Sequence, residues 1–515
     1  MSLTLLDLEG RNLPRDFRRV TLSLILLVYL ALSIANSLTR SIWENEAWLA
    51  SPGLNLAHHG FLGTTILEPK GTWMDGIDRH TYWMPPLHML VQAAVYKLFG
   101  FGLFTLRSIS ILSGAMALLA WYSIIATLAA SRSIVLLAAA IVATDARFVQ
   151  FAALGRPDML CAALGSTALA LYLHYRDRSL PKALLLAHGF AAASCLTHPC
   201  GVLYALALVL LMLYFDRRRM SWRVLGVTAT PYPIAVSGWG LYILQAPTQF
   251  MHQFIGNISG VAAEYADVSR DSLLTTPIRA LKWEYFRRYG NNFGWYSTGF
   301  LDRLPLYVLA VYTLAVAGCL LTKRLRSHPG CRALLLIGSL EFVFMALFDG
   351  LKGSSYLVHT LPLCAAFLAF CIWFWSSQSR RARWVVAPVL TLFMAVQLEI
   401  FVHEMVYAPE RWDYQAAVDF MRQTRIPPRI FAGGELAFEL GFESGMVDDF
   451  RLGYYTGRRP EFIAANAVDR SWIERSAVLY PKIHAYQVNL LTNEYRVIFR
   501  NSHYTIYQRV QADHN

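Results

Sequence analysis

The chain has 515 residues, of which 56% are hydrophobic and only 16% are charged. In a typical soluble globular domain about a quarter of the residues are charged. This composition therefore excludes an ordinary soluble protein and predicts extensive contact with lipid. The formal net charge of +12 would suggest nucleic acid as a partner of a soluble protein. Here the basic residues stand in short clusters between apolar runs, which is typical of membrane topology and argues against a nucleic-acid partner.

Apolar runs close to the ~20 residues that cross a hydrocarbon core predict about eleven transmembrane helices. They lie at about 20–38, 104–127, 133–150, 157–175, 183–197, 200–215, 224–246, 305–322, 333–348, 357–375 and 384–402. The first run follows a basic head and could be a cleaved signal peptide, but an anchoring first helix is commoner in proteins with many spans. The sequence therefore predicts an α-helical polytopic membrane protein.

The short apolar stretch 86–99 is assigned by its effect on topology. If the N-terminus is cytoplasmic and this stretch does not span, nearly every short basic cluster lies inside, as the positive-inside rule requires. We therefore expect an amphipathic helix on the outer leaflet there. Four segments then lie on the far side of the membrane, at about 39–103, 145–156, 247–304 and everything after 403. Functional residues should concentrate in these segments.

The chain is expected to divide into a transmembrane domain, residues 1–403, and a small extracytoplasmic α/β domain, residues 404–515. In the second domain, residue patterns predict helices at Glu410–Gln423 and Glu435–Gly441, a strand at Arg429–Ala432 and a terminal hairpin within 496–509. Three carboxylates fall on one face of the second of these helices, Glu435, Glu439 and Glu443. This spacing indicates an exposed acidic stripe.

The first outer segment begins with two carboxylates, Glu44 and Glu46, directly after a predicted span. Carboxylates at the membrane boundary, facing the compartment that holds water and substrates, suit a general base or a divalent metal ligand. The alternative is a solvated loop start in which Glu46 caps a helix.

The same segment is dense in histidine and aspartate. His58 and His59 come first, and Asp75, Asp78 and His80 follow. Such residues could bind a metal ion, but they lack the spacing of known metal motifs. Ordinary loop polarity is the favoured interpretation.

Two further polar sites stand at the outer ends of predicted spans. Arg156 and Asp158 begin one span, where helix capping competes with a functional role, because a carboxylate at the edge of an apolar span is costly. His198 lies in a turn between two spans, where a structural role is the commoner one.

Lys352, Tyr356 and His359 lie at the start of a late span. Together they could hold an anionic head group at the outer membrane surface, since an ammonium group is a point-charge ligand for phosphate. The alternative is that the Lys352 side chain lies along the apolar helix surface only so that its ammonium group reaches water at the membrane surface.

Several short motifs occur in a characteristic order. They are Asn45-Glu46 within Trp43–Trp48, Tyr82–Leu87 with its Pro-Pro-Leu, Lys97–Gly100, Leu106–Ser108, Gly155–Asp158 and Lys352–His359. Because these motifs occur in this order, the chain resembles the polyprenyl-phosphate-sugar-dependent glycosyltransferases of the C-type membrane fold. The resemblance covers about 20–375. It is nearest to bacterial members of the dolichyl-phosphate-mannose–protein mannosyltransferase superfamily, which includes the aminoarabinose transferases acting on lipid A.

The resemblance implies a donor sugar linked to undecaprenyl or dolichyl phosphate, a lipid, polysaccharide or protein acceptor, and inversion of the anomeric centre. We expect a multi-pass protein of the inner (plasma) membrane, and the basic clusters predict a cytoplasmic N-terminus. One departure concerns the base. The family usually has Asp-Glu where this chain has Asn45-Glu46, and asparagine cannot accept a proton as a base. Glu46 matches the second acidic position, and Glu44 is a neighbour that could compensate.

We expect Glu46, Glu44 and Asp158 to be catalytic, and Glu46 and Asp158 to hold a divalent ion (Mg, Mn or Zn) if one is bound. The expected substrate-binding residues are Asn45, Arg156, Tyr82, His198, Lys352, Tyr356, His359 and Arg270. The developing charge on the leaving polyprenyl phosphate needs fixed cations. The candidates are Lys352 and one of Arg270, Arg279, Arg287 and Arg288.

Two other functions fit the same sequence. A transporter or flippase of lipid-linked saccharides would also be polytopic, but transporters tend to place ionisable residues near the membrane midplane. A catalytically inactive relative would bind polyprenyl lipid or a partner, and Asn45 is the best argument for it.

Overall fold

The computed structural model describes residues 15–129, 131–257, 277–350, 352–407, 409–427 and 429–510. The chain divides into two compact units. Unit one comprises residues 1–37, 108–240 and 267–404, and unit two comprises residues 38–107, 241–266 and 405–515.

Most described residues lie in helices. The α-helices are Arg15–Thr39, Glu44–His59, Leu87–Phe99, Leu103–Leu128, Arg132–Thr144, Ala146–Ala152, Pro157–Tyr175, Leu180–Thr197, Gly201–Phe215, Trp222–Ala229, Pro231–Ile243, Pro247–Phe250, Pro277–Trp283, Phe300–Arg303, Pro305–Leu321, Lys323–Ser327, Pro329–Phe348, Leu357–Gln378, Arg380–Val406, Pro409–Gln423, Ala437–Leu440, Ala467–Leu479 and Pro481–Asn493. Short 3-10 helices are Arg217–Arg219, Ser354–Tyr356 and Gly434–Leu436, and π-helices are Met251–Ile255 and Glu284–Gly290. Proline begins several helices, such as those at Pro157 and Pro305, because its fixed φ suits the first turn.

Helices occupy all eleven predicted spanning ranges, and the protein is a multi-span membrane protein. In the described chain, seven helices are long and apolar enough to cross a membrane, or eight if one bent pair counts as a single span. Three predicted ranges fall outside this count. Gly201–Phe215 has only 15 residues, the range 224–246 is divided at Pro231, and Pro157–Tyr175 carries polar residues at its ends.

The predicted span 133–150 is not a straight helix. Its two parts, Arg132–Thr144 and Ala146–Ala152, are bent by 61°. Asp145 stands at the bend, where one carboxylate oxygen accepts from the Phe148 backbone N–H at 2.8 Å. The other oxygen accepts from the Tyr312 hydroxyl at 2.7 Å and the Gln397 amide at 2.9 Å. These donors compensate the burial of Asp145, and the outer loop predicted at 145–156 contains a helix.

The stretch 86–99 forms the predicted helix, Leu87–Phe99. The outer segment 247–304 likewise contains short helices in its described residues. The position of both segments relative to the lipid stays a prediction.

Unit two contains a four-stranded sheet in the order β1-β2-β4-β3. Its strands are Phe431–Ala432 (β1), Phe462–Ala465 (β2), Tyr495–Arg500 (β3) and Thr505–Arg509 (β4). Strands β1 and β2 are parallel, and the antiparallel pair β3 and β4 is the predicted terminal hairpin. The predicted helix Glu410–Gln423 is confirmed as Pro409–Gln423.

The C-terminal segment of unit two shares its hydrophobic core with the first outer segment. Ala47 and Ala50 of the Glu44–His59 helix belong to the same buried cluster as Val418 and Ile506. The division of the chain into domains at 403/404 stays a prediction.

The predicted acidic stripe is wrong. The helix expected at Glu435–Gly441 is a 3-10 turn followed by the short Ala437–Leu440 helix. Gly441, with φ of 95°, ends that helix, so Glu443 does not lie on its face. Glu435 is buried and accepts hydrogen bonds from the Asn466 amide and the Tyr504 hydroxyl.

Candidate active site

Glu46 is held at the start of the Glu44–His59 helix by a buried arginine. The Arg107 guanidinium donates to both oxygens of Glu46, at 2.9 and 2.7 Å. One of these oxygens also accepts from the Trp43 backbone N–H at 3.1 Å, which caps the helix. The capping alternative from the sequence is therefore confirmed, but the side chain of Glu46 is buried and not solvated. Sequence reasoning missed Arg107 as a partner, although it lies within the Leu106–Ser108 motif.

Glu44 occupies a different environment, two residues earlier. It is buried, and its Oε2 has no hydrogen-bond partner among the described residues. Burial raises the pKa of Glu44, and the negative charges of Glu435 and Asp469 raise it further, while a hydrogen bond with Asn466 opposes the shift. Asn45, between the two glutamates, is half-buried.

The residues at Glu46 do not fit a metal ion. Both oxygens of this carboxylate are already bound by Arg107, so a cation would have to displace a buried guanidinium. Asp158, the other expected ligand, lies in unit one and is paired with Arg156. We therefore derive no chemical step through a metal ion at these residues.

Tyr82 joins two segments of unit two that are distant in sequence. Its backbone N–H donates to the Gln253 side chain at 2.7 Å, and its hydroxyl donates to the Tyr242 carbonyl at 2.8 Å. The rings of Tyr82 and Tyr242 lie 4.7 Å apart between centroids. These contacts give Tyr82 a positioning role in the structure, and its expected role in substrate binding stays a prediction.

Asp158 and Arg156 form an ion pair at the start of the Pro157–Tyr175 helix in unit one. Arg156 Nε lies 2.8 Å from Asp158 Oδ2, and the Ser110 hydroxyl donates to the Arg156 carbonyl. Asp158 is buried, and its Oδ1 has no hydrogen-bond partner among the described residues. One oxygen is thus fixed and the other is open to a further donor.

Two histidines that were predicted to bind substrate, His198 and His359, lie beside tyrosines in unit one. His198 Nδ1 accepts from the Cys200 backbone N–H, and His198 Nε2 lies 3.3 Å from the Tyr356 hydroxyl. His359 Nδ1 lies 2.8 Å from the Tyr204 hydroxyl, and its Nε2 has no partner among the described residues. His198 thus has a structural contact within its turn, the commoner role for such a histidine, and it also contacts Tyr356, a predicted substrate-binding residue.

Lys352 belongs to a buried network of alternating charge. Its ammonium lies 3.2 Å from Glu284 Oε2 and donates to the Ala346 carbonyl at 2.7 Å. Arg288 binds Glu284 as well and donates to Asp349 at 2.7 Å. Burial lowers the pKa of Lys352, and the Glu284 carboxylate opposes this shift. Lys352 is only 5% exposed, so the alternative in which it extends to the interface is wrong.

Tyr356 connects this charge network to His198 and His359, the two histidines that were predicted to bind substrate. The Arg288 guanidinium lies over the Tyr356 ring at 5.5 Å, and the Tyr356 and His359 rings are 6.5 Å apart. Asp158 lies within electrostatic reach of His198 and His359. Unit one therefore brings six predicted residues into one neighbourhood: Arg156, Asp158, His198, Lys352, Tyr356 and His359. Unit two holds Glu44, Asn45, Glu46 and Tyr82, and Arg270 lies outside the described residues.

A second basic region in unit one is open to ligands. A pocket of about 380 Å³ is lined by Lys282, Trp283, Phe286, Arg287 and Tyr296. The guanidinium groups of Arg279 and Arg287 lie 4.6 and 5.0 Å from the Trp283 ring. In contrast to Lys352, Lys282 is exposed. Cations and aromatic rings in one pocket suit an anionic group attached to an apolar body.

Comparison with known proteins gives one family match and several structural matches. Residues 84–238 match the family model of dolichyl-phosphate-mannose-protein mannosyltransferases. No curated protein matches the chain.

Similar folds come from a bacterium and an archaeon. ArnT from Cupriavidus metallidurans, bound to undecaprenyl phosphate, is 15% identical, with a TM-score of 0.58 over 97% of this chain and 99% of that chain. The oligosaccharyltransferase of Archaeoglobus fulgidus, in complex with Zn and sulfate, is 14% identical, with a TM-score of 0.56 over 95% of this chain and 73% of that chain. The oligosaccharyltransferase AglB of the same archaeon, with an inhibitory peptide and a dolichol-phosphate, is 13% identical, with a TM-score of 0.56 over 96% of this chain and 74% of that chain.

These matches agree with the resemblance expected from the short motifs. The family match covers residues 84–238, and the similarity of fold extends over nearly the whole chain.

Proposed function

We propose that the protein is a membrane glycosyltransferase that moves a sugar from a polyprenyl-phosphate donor to an acceptor hydroxyl, with inversion at the anomeric carbon. The family match over residues 84–238 carries this proposal. The lipid phosphates bound to ArnT and AglB support the class of donor. The sugar and the acceptor, whether lipid, polysaccharide or protein, are set by contacts of the outer segments.

Glu44 is the favoured general base. A base must be free to accept a proton, and both oxygens of Glu46 are bound by Arg107. Glu44 has an oxygen without a partner in the described chain and a raised pKa, which brings its proton affinity nearer to neutral pH. Glu46 is then a positioning residue that sets the start of the helix on which Glu44 stands.

Asp158 is the second catalytic candidate. Its Oδ1 has no partner among the described residues, while Oδ2 is fixed by Arg156. A carboxylate oriented in this way can stabilise the positive charge that develops on the sugar ring in an oxocarbenium-like transition state.

The leaving polyprenyl phosphate needs cations to stabilise its developing negative charge. Lys352 and Arg288 are balanced by Glu284 and Asp349 in their buried network, so they set the shape of this region and stay secondary candidates. The pocket lined by Lys282, Arg287 and their aromatic neighbours includes the exposed Lys282. We assign the phosphate to this pocket, with the polyprenyl chain along the adjacent apolar helix surface.

The protein lies in a membrane, and we assign it to the inner (plasma) membrane. The basic clusters support a cytoplasmic N-terminus and an extracytoplasmic segment after residue 403. This orientation places the acidic helix start of unit two on the side where a flipped lipid-linked sugar is exposed.

Incubation of the purified full-length protein with a panel of radiolabelled polyprenyl-phosphate sugars tests the proposal. We expect transfer to a membrane-extract acceptor, or slow donor hydrolysis, with at least one member of the panel. Absence of both reactions with every donor would contradict the enzyme. Movement of a fluorescent lipid-linked saccharide across proteoliposomes, without its hydrolysis, would support the flippase instead.

A further inference from the structure

Three metal-ligating side chains meet at the end of the Glu44–His59 helix. His58 and His59 are its last two residues, and Glu443 comes from the turn that follows the Ala437–Leu440 helix. Glu443 Oε1 lies 2.8 Å from His59 Nε2 and 3.9 Å from His58 Nδ1. One ligand atom from each side chain lies within 4.8 Å of the other two. All three residues belong to unit two.

The backbone around this cluster is set by glycines in left-handed conformations. Gly60, with φ of 80°, ends the helix directly after His59. Gly441 and Gly445, with φ of 95° and 88°, flank the turn that carries Glu443. Within that turn, the Ser444 hydroxyl donates to the Gly441 carbonyl at 2.6 Å. Both sides of the cluster are therefore presented by defined turns.

We propose that His58, His59 and Glu443 form a surface zinc site. Two imidazole nitrogens and a carboxylate oxygen are a common zinc ligand set, with water in the fourth position. Zinc–nitrogen and zinc–oxygen bonds of roughly 2.0–2.1 Å at tetrahedral angles separate ligand atoms by about 3.3 Å. The observed separations of 2.8 and 3.9 Å lie on either side of this value, and the exposed side chains can reach it by small rotations.

The charge of the cluster also suits a cation. Glu443 contributes a carboxylate to the cluster, and its Oε1 lies within 3.9 Å of a ring nitrogen of each histidine. A zinc ion would replace the hydrogen bond between His59 and Glu443 and link two segments that are 384 residues apart.

The proposed site is separate from the proposed chemistry. Glu44 and His59 stand at opposite ends of a 16-residue helix, which at 1.5 Å per residue places them about 22 Å apart. A zinc ion at His59 therefore stabilises unit two and takes no part in proton transfer at Glu44.

Calorimetric titration with ZnCl2 tests the proposal on full-length protein that carries no polyhistidine tag and has been treated with chelator. We expect one zinc equivalent, and a loss of affinity of tenfold or more in His59→Ala and Glu443→Gln. His174→Ala changes an exposed histidine of unit one and should bind zinc as the wild type does. All these substitutions are at the surface, so the variants should fold.

X-ray absorption of the zinc-loaded protein gives an independent measurement. The proposal predicts scattering from two imidazoles in the wild type and from one in His59→Ala. The zinc-site proposal is overturned if the wild type binds zinc no more tightly than a His58→Ala/His59→Ala double variant. The contact between His59 and Glu443 would then be an ordinary hydrogen bond.

Discussion

Glu44 and Glu46 are two residues apart, and the fold gives their carboxylates different environments. Glu46 is compensated by Arg107 on both oxygens. Glu44 is buried beside Glu435 and Asp469, and burial together with their negative charges raises its pKa. A motif can locate both carboxylates, but it does not show which of them retains proton affinity. That distinction depends on residues from distant parts of the chain.

Replacement of Arg107 by methionine should destabilise the protein strongly. The change leaves the Glu46 charge buried without its partner, and the loss of one partner of such a pair costs about 3–5 kcal/mol. A Glu46→Leu/Arg107→Met double variant removes both charges and should recover most of this loss. The measurement is the fraction of monodisperse protein after heating in detergent.

Arg380→Met, at an exposed arginine, is the matched control and should change little. Equal stability of the single Arg107→Met variant and this control would show that the buried pair does not hold the helix start.

At the scale of elements, Asp145 determines the break between two helices of unit one. It accepts hydrogen bonds from Phe148, Tyr312 and Gln397. Asp145→Ala leaves these donors unpaired, and each unsatisfied buried group costs about 1–3 kcal/mol. We expect a clear fall in the unfolding temperature, whereas Asp177→Ala, at a side chain 76% exposed, should behave as the wild type does. No fall in Asp145→Ala would mean that the bend does not depend on this side chain.

Unit two contains an acidic cluster that should make its stability depend on pH. The cluster is defined as the buried Glu44, Glu435 and Asp448 and the half-buried Asp469. Burial is the main cause that raises the pKa of each carboxyl, and neighbouring carboxylates raise those of Glu44, Asp448 and Asp469 further. A carboxyl with a raised pKa binds more protons in the folded state than in the unfolded state. Its stabilisation is therefore complete below the ordinary carboxyl pKa of about 4 and is lost as the pH rises through the raised value.

We therefore expect the unfolding temperature of the wild type to fall between pH 5 and pH 8. Asp448→Asn should reduce this fall, because an amide oxygen can still accept from Trp48 and Gly434 but carries no charge. The exposed Glu474→Gln variant should retain the wild-type dependence. A wild-type unfolding temperature that rises over this range would contradict the raised pKa values.

Local patterns predicted some elements and not others. The helix Pro409–Gln423 and the β3–β4 hairpin follow from periodicity and from alternation of apolar residues. The break at Asp145 was missed, because an apolar run does not show where a buried carboxylate finds its donors. The strand β2 has four residues, all of them buried, and such a short apolar run does not distinguish a strand from a helix.

At the scale of the whole molecule, the multi-span membrane fold was predicted correctly from composition and spacing, and the family match over residues 84–238 agrees with the resemblance based on motif order. The six predicted residues of unit one also lie in one neighbourhood. Their partners were harder to predict. Arg288 pairs with Glu284 at the i,i+4 spacing of a helix, but it also pairs with Asp349, 61 residues away, and no local pattern shows that contact. The roles of all these side chains in the reaction stay predictions.

The orientation of the molecule in the membrane can be measured with reporter fusions. The positive-inside rule predicts that alkaline phosphatase joined after residue 510 is active and that green fluorescent protein there is dark. Fusions after Arg219, in a basic cluster, should give the opposite result. The reverse pattern would place the acidic helix start and the C-terminal segment in the cytoplasm, against the proposed outer-face reaction.

The most direct test of the central claim is the rate of sugar transfer by full-length protein in nanodiscs, compared between the wild type, Glu44→Gln and Glu474→Gln. Loss of a general base should lower the rate in Glu44→Gln by about 10²–10⁴-fold, while the surface change in Glu474→Gln should leave it unchanged. A Glu44→Gln protein that transfers sugar at the wild-type rate would contradict the assignment of Glu44 as the base.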